Sequence, residues 1–149
     1  MFSPLKFLAI SSLSLFSATA IVEAKSWETV TLNVTQIDVS RGGLVHVLVF
    51  LKDGFPIKHD KALKSYFKPT EAEHMTFRID VPADVPFAIK AHHDEDGNNR
   101  VTKNWTGVFP AEGFAFSSGA KMELFPPTFA AAKMSLPQDA NVSIQMRYP

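Results

Sequence analysis

The sequence contains no cysteine. Small exported domains often use disulfides to compensate for a thin core, so this chain must be stabilised by apolar packing, and thiol chemistry is excluded. An excess charge of either sign is also lacking, because fifteen basic residues balance fifteen acidic ones. There is no dense basic stripe of the kind that neutralises phosphates, and this argues against nucleic acid as a partner.

Motifs that carry well-known catalytic chemistry are missing as well. The sequence has no Gly-rich phosphate loop, no G-x-S-x-G nucleophile turn and no His-Glu-x-x-His helix. We therefore expect a protein that is not an enzyme. Beyond residue 24 no stretch is apolar enough to cross a bilayer, so no membrane span is predicted.

The first 24 residues have the order of a secretory signal peptide. A single cation at Lys6 precedes the uncharged stretch 7–22, and small residues follow at the end of that stretch. A membrane anchor is the competing interpretation, but hydroxyl side chains interrupt the stretch and it is short for a span. We predict cleavage after Ala24, with Ala20 as the alternative. The mature chain, residues 25–149, is then one domain exported to the periplasm or the cell exterior.

Alternation of apolar and polar residues predicts most of the secondary structure. This period of two, which buries one face of a strand, runs over residues 29–35, 75–81, 87–91 and 142–148. Residues 44–51 are apolar apart from His46, as in a strand covered on both sides. A weaker strand candidate is 130–136, and Gln138 and Asp139 are predicted to form the bend after it.

A single helix is predicted in the segment 58–68. Its lysines surround Ala62, Leu63, Tyr66 and Phe67 at a spacing that suits one helical face, with Asp60 as the N-cap. A helix lying on a membrane surface is the alternative there. Short strands with Gly, Pro and Asp turns and one short helix predict an all-β fold, an antiparallel Greek-key β-sandwich.

The loop after the fourth predicted strand carries the most suggestive chemistry. Oxygen-bearing side chains alternate there, as in the first half of a calcium loop, and Asn99 is suited to the left-handed turn that follows. The candidate ligand positions are Asp94, Asp96, Asn98, Arg100 and Thr102. Trp105 occupies the place of the closing carboxylate, so we favour a polar turn bonded to its own backbone. Calcium is the one cofactor that this loop suggests.

Two adjacent histidines precede the loop and must point to opposite faces of a strand. In this register His93 shares the apolar face and is predicted to be buried and hydrogen-bonded, whereas His92 joins Lys90 on the wet face. The spacing of His46, His59 and His74 does not predict a zinc site.

Three functions remain open from the residues alone. A non-catalytic module could bind an unknown protein or small molecule through the loop surface 92–118, which carries His92, His93, Trp105, Phe109, Glu112, Phe114 and Phe116. We favour the simpler possibility that the rings plug one end of the sandwich. A metal-assisted hydrolase would use His92 or His93 with Asp94, Asp96 and Glu112. A purely structural role is the third.

Three spaced motifs resemble the bacterial domain of unknown function family 2141. They are the run from His93 to Asn98 (HDEDGN), the segment with Gly107, Pro110, Glu112-Gly113-Phe114 and Phe116-Ser117, and the step Pro127-Thr128-Phe129 with Ala132. The resemblance implies an exported sandwich, transthyretin-like or immunoglobulin-like in architecture, and implies no particular activity. Asn99 and Thr102 replace a Gly and an Asp of the family pattern, Phe109 is an extra residue and Ala115 replaces a Gly, which argues against a family-type cation site here.

Overall fold

The computed structural model describes Ala24, residues 26–136 and residues 140–149. The predicted signal peptide and the bend at Gln138 and Asp139 lie outside the described residues. Within these limits the chain forms seven strands and one short α-helix, α1 (Phe129–Ala132). The strands are β1 (Trp27–Thr35), β2 (Leu44–Phe50), β3 (Lys64–Pro69), β4 (Met75–Pro82), β5 (Ala88–Asp94), β6 (Gly113–Phe116) and β7 (Asn141–Gln145).

The strands form two sheets that pack into a sandwich, as predicted. One sheet has the order β4-β1-β7 and the other has the order β3-β2-β5-β6. Every pair is antiparallel except β1 with β7, which run parallel. The expectation of a wholly antiparallel sandwich is therefore wrong for this pair. Parallel neighbours need a long connection, and here the chain passes through all the other strands between β1 and β7.

Alternating side chains of both sheets build the core. Val30, Leu32 and Val34 of β1 face Val45, Val47 and Val49 of β2 across the sandwich, and all six are fully buried. The β4 set predicted from alternation, Met75, Phe77, Ile79 and Val81, joins the same cluster. This burial of apolar area is the main stabilising contribution in a chain without disulfides.

The helix predicted over 58–68 is wrong. The segment contains only a short 3₁₀ turn, His59–Lys61, whose N-cap is Lys58 and not Asp60, and then strand β3. β3 pairs along the edge of β2, and the Tyr66 hydroxyl accepts a 2.8 Å hydrogen bond from the Asp80 N–H of β4. Pairing with a neighbouring strand thus overrides a weak helical pattern.

The weaker strand candidate, 130–136, is also wrong for most of its length. The helix α1 occupies residues 129–132, and the Thr128 hydroxyl caps it by accepting from the Ala131 N–H. Only Met134 makes a strand-like contact, an isolated bridge to Phe87. In the described part of the chain we find no helix with the length and hydrophobicity that a membrane span requires.

The four-stranded sheet is covered on its outer face as well. The rings of Phe50, Phe55, Phe116 and Phe129 meet edge to face over this surface, with centroids about 6 Å apart. The cover comes from the turn before residue 60 and from the segment around α1. It encloses the face of β5 on which Lys90 and His92 were predicted to be exposed to solvent, and it confirms that β2 is covered on both sides.

Candidate functional site on the outer face of the four-stranded sheet

Strand pairing places the polar residues of β2 and β5 together on the covered outer face. His46 lies opposite His92, and His92 lies in turn opposite Phe114 of β6. Since side chains alternate along a strand, Lys90 shares this face with His92. Both are buried, with 3% of Lys90 and none of His92 exposed. The prediction that they lie on a wet face is wrong, because chain segments distant in sequence cover them.

Three histidines converge on this face. One ring nitrogen of each of His46, His59 and His92 lies within 4.8 Å of the others. The ring centroid of His59 lies 5.7 Å from that of His46 and 5.8 Å from that of His92. His59 reaches the cluster from the 3₁₀ turn that covers the sheet. Sequence spacing gave no signal for this group, because strand pairing and the covering turn bring together residues 13 to 46 positions apart.

His92 is fixed by a buried carboxylate. Its Nε2 lies 2.7 Å from Glu112 Oε2. The same carboxylate accepts the Thr102 N–H at 2.8 Å and the Glu95 N–H at 3.1 Å, and we therefore assign the proton of the His92–Glu112 bond to His92 Nε2. His92 Nδ1 then carries a lone pair, and it is buried with no hydrogen-bond partner among the described residues.

Lys90 is the buried cation beside this cluster. Its Nζ donates to the Pro56 carbonyl at 2.9 Å and to His59 Nε2 at 2.8 Å, and it lies 5.0 Å from the Phe114 ring centroid. Burial lowers the pKa of Lys90 to about 7, with the Glu112 carboxylate acting in the opposite direction.

The histidines are held in the neutral form. Burial, and next to it the charge of Lys90, lowers the pKa of His92 and of His59 to about 3. The same two causes lower the pKa of His46. Neutral imidazoles are the form that binds metal ions.

A pocket of about 560 Å³ opens beside Lys90 and His59. Its walls are largely apolar and include Ile57, Val108, Phe109, Phe114, Phe116 and Leu124. The charged residues that line it are four cations and two acids, namely Lys58, Lys90, Arg100 and Lys103 against Asp60 and Glu123. A smaller pocket of about 250 Å³ is lined by His46, Ser65 and Asp94.

The acidic loop is bonded largely to itself. Asp94 accepts the N–H groups of Asn98 at 3.1 Å and Asn99 at 2.7 Å. Asp96 accepts the Asn98 N–H at 3.1 Å and the Thr102 hydroxyl at 2.7 Å. The φ angle of Asn99 is +59°, which confirms the left-handed turn expected there. These contacts are those of the polar turn that the sequence favoured.

The other candidate positions of the loop are used differently. The Arg100 N–H donates to Asn98 Oδ1 at 2.7 Å, and its side chain lines the large pocket. Trp105, placed by sequence spacing where a closing carboxylate belongs, is 96% exposed. The carboxylate that does lie within 4.8 Å of oxygens of Asp94 and Asp96 is that of Glu112, from the far end of the loop.

His93 is buried and hydrogen-bonded, as predicted. The Tyr148 oxygen accepts the Asp38 N–H at 2.8 Å, so its hydroxyl proton is free to donate to His93 Nδ1 at 2.7 Å. His93 Nε2 then donates to the Gly42 carbonyl at 2.6 Å. The ring therefore ties β5 to the C-terminal segment and stands apart from the histidine cluster. Gly113 leaves room for the Tyr148 ring, which a Cβ would strike.

The aromatic residues of the loop surface divide into two groups. Phe114 and Phe116 are 5% and 4% exposed and are buried on the outer face of the four-stranded sheet, beside His92 and Phe55. Phe109 and Trp105 are exposed, and Phe109 lines the large pocket. The rings therefore do not form one continuous exposed patch.

A comparison with protein-family models matches residues 32–145 to DUF2141, described as an uncharacterised protein conserved in bacteria. The match spans all seven strands at least in part, and it confirms the resemblance drawn from the three motifs. Searches of curated proteins and of solved structures returned no match.

Proposed function

The chain belongs to the bacterial DUF2141 family, and we propose that it is an exported, non-catalytic module that binds a small molecule with an apolar body and an anionic end. The pocket of about 560 Å³ on the outer face of the four-stranded sheet carries this proposal. Its volume falls within the ~300–1,000 Å³ typical of small-ligand sites, and a mostly apolar lining with a few polar groups is their usual composition.

The apolar part of the ligand is indicated by the side chains at the pocket mouth. Ile57, Val108 and Leu124 line the pocket and are each about two-thirds exposed. Clustered exposed aliphatic side chains beside a cavity mark a surface that gains free energy when an apolar partner covers it. Phe109 extends the same surface.

The anionic end is indicated by the excess of cations and by the position of Lys90. An ammonium group has three N–H donors, and within the described structure two of them go to the Pro56 carbonyl and to His59. The third is available to a carboxylate or phosphate at the floor of the pocket. A negative charge there would favour the charged form of Lys90, and attraction in a poorly hydrated pocket is stronger than in water.

The proposal that the module is non-catalytic rests on the sequence. The motifs of phosphate loops, nucleophile turns and zinc peptidase helices do not occur in it. Export rests on the first 24 residues. It is tested by the intact mass of the protein recovered from the envelope or the medium, which should correspond to a chain beginning near Lys25.

Calorimetric titration with three probes of equal chain length, decanoate, decanol and decylammonium, tests the binding proposal. We expect decanoate to bind at least ~10-fold more tightly than decylammonium, equivalent to ~1.4 kcal/mol, with decanol between them. Val108→Asp places a carboxylate at the pocket mouth and should weaken decanoate binding. Val39→Asp, a matched change outside the pocket, should not. Equal binding of the three probes, or no binding, would reject the proposal.

A further inference from the structure

We propose that His46, His59 and His92 form a binding site for a divalent transition metal ion of the zinc class. The site is distinct in chemistry from the pocket for an organic anion, although His59 borders both. Imidazole nitrogens are suitable ligands for Zn²⁺, Cu²⁺ and Ni²⁺, and sites with three histidines leave a fourth position open for water or an exogenous ligand.

Three imidazole rings converge on one face of the sheet. The three rings come from β2, from the covering 3₁₀ turn and from β5, and one nitrogen of each lies within 4.8 Å of the others. Bonds of ~2.0–2.1 Å in a tetrahedral site place ligand nitrogens about 3.3 Å apart. The nitrogens must therefore approach one another by up to about 1.5 Å. His59 can supply much of this movement, because it lies on a turn and not within the paired strands.

His92 has one ring nitrogen bonded to a carboxylate and the other without a partner among the described residues. Metal-binding histidines commonly donate the proton of one ring nitrogen to a carboxylate, which orients the ring and leaves the other nitrogen for the ion. His92 Nε2 makes this bond to Glu112 at 2.7 Å. Its Nδ1 is buried and finds no partner in the described structure. Such an atom ordinarily costs free energy, and coordination of an ion would satisfy it.

The other two rings are each held by one hydrogen bond. His46 Nε2 is 2.5 Å from the Ser65 hydroxyl, which fixes the ring on the sheet. His59 Nε2 accepts from Lys90 Nζ at 2.8 Å. The lone pair of His59 Nε2 is thus occupied by the Lys90 ammonium group. A metal ion that binds this nitrogen would displace the ammonium group from it.

One cation and two carboxylates lie near the site. Lys90 opposes a second cation, whereas Asp94 and Glu112 favour one, since Asp94 acts on His46 and His92 and Glu112 bonds to His92. Two pockets border the ligand residues, because His59 lines the large pocket and His46 lines the smaller one. A carboxylate that orients one ligand ring is therefore present, and pockets lie beside the other two ligand residues.

Cobalt(II), a spectroscopic substitute for zinc, is the probe for this site. The full protein without a histidine tag is titrated with Co²⁺, and the visible d–d absorption reports low-coordinate nitrogen ligation. We expect one ion per chain, displacement by Zn²⁺, and a loss of affinity of at least ~10-fold in His59→Gln. His59 is only half-buried and lies outside the strands, so this variant should fold even where His92→Gln does not.

Three further variants separate the site from adventitious binding. His74→Gln changes an exposed histidine outside the cluster and should leave the Co²⁺ affinity unchanged. Glu112→Gln should lower the Co²⁺ affinity ~10–100-fold, because His92 loses the carboxylate that orients its ring. Lys90→Met should raise the Co²⁺ affinity, because it removes a positive charge next to the ion. Absence of the d–d bands, or equal affinities in the parent and His59→Gln, would overturn the proposal without bearing on the binding of decanoate.

Discussion

His92 and Glu112 form a buried pair, with His92 Nε2 2.7 Å from Glu112 Oε2 and at most 3% of either side chain exposed. Through this contact, strand β5 is joined to the far end of the acidic loop, because the same carboxylate accepts the N–H groups of Glu95 and Thr102. One glutamate therefore organises both the loop and the histidine cluster.

Replacing Glu112 should destabilise the fold. Glu112→Gln keeps one acceptor oxygen but places an NH₂ group against N–H donors, so at least one buried donor loses its acceptor. We expect the free energy of unfolding to fall by about 1–3 kcal/mol, measured by urea denaturation. Glu71→Gln, at an exposed position, is the control and should change it by less than about 0.5 kcal/mol. Similar small losses in both variants would argue against the role given to Glu112.

The buried histidines make stability depend on pH. The pKa of His92 and of His59 is about 3 in the folded protein, against ~6.5 in an unfolded chain. Below pH ~6.5 the unfolded state binds protons that the folded state does not, so the free energy of unfolding should decrease as the pH falls from about 6.5 toward 3. Metal-free protein in a chelator shows this in denaturant midpoints at successive pH values.

Variants identify which histidines cause this slope of the free energy of unfolding against pH. His59→Gln should reduce the dependence on pH between about 6.5 and 4, because one proton-binding difference is removed. His74→Gln should leave it unchanged. If the slope stayed the same in His59→Gln, protonation of the cluster would not be its cause.

The alternation along β4 predicts unequal effects of neighbouring substitutions. Phe77 is 1% exposed and lies in the core, whereas Arg78 points to solvent. Phe77→Ala should cost about 3–5 kcal/mol, because it leaves a cavity, and Arg78→Ala about 0.5 kcal/mol. Chemical denaturation of both variants measures the difference. Equal losses would contradict the register of β4.

The acidic loop should not require calcium. Asp96 accepts hydrogen bonds from Asn98 and from the Thr102 hydroxyl, and a ligand that binds only the folded state would raise the melting temperature as its concentration increases. We expect no rise with millimolar Ca²⁺ and a nearly neutral effect of Asp96→Asn, which keeps an acceptor suited to the same turn. A calcium-dependent rise in the parent that Asp96→Asn abolishes would identify the loop as a calcium site.

The sandwich could be predicted from the sequence because strand alternation is a local signal. The apolar positions of β1 and β4 fall on one face, and the structure buries them as the period of two requires. The region of β3 could not be assigned in this way, since Tyr66 and Phe67 fit a helical face equally well. This segment forms a strand because it pairs with the free edge of β2. That edge exists only in the tertiary structure.

The site was only partly predictable for the same reason. Alternation correctly separated His93 from His92, and placed Lys90 with His92. For β5 it could not indicate that this face is covered, because the cover comes from residues around 55–60 and from β6 and the segments beyond it. The apolar run of β2 was the one signal of a strand covered on both sides. The convergence of His46, His59 and His92 depends on strand register and on the covering turn, and no spacing within the chain encodes either.

The measurement that tests the central proposal most directly is the affinity of Lys90→Met for decanoate relative to decanol. If Lys90 recognises an anionic end at the floor of the pocket, the substitution should weaken decanoate binding by ~10-fold, or ~1.4 kcal/mol, and leave decanol binding unchanged, since the apolar walls remain. Unchanged binding of decanoate in the Lys90→Met variant would contradict the account.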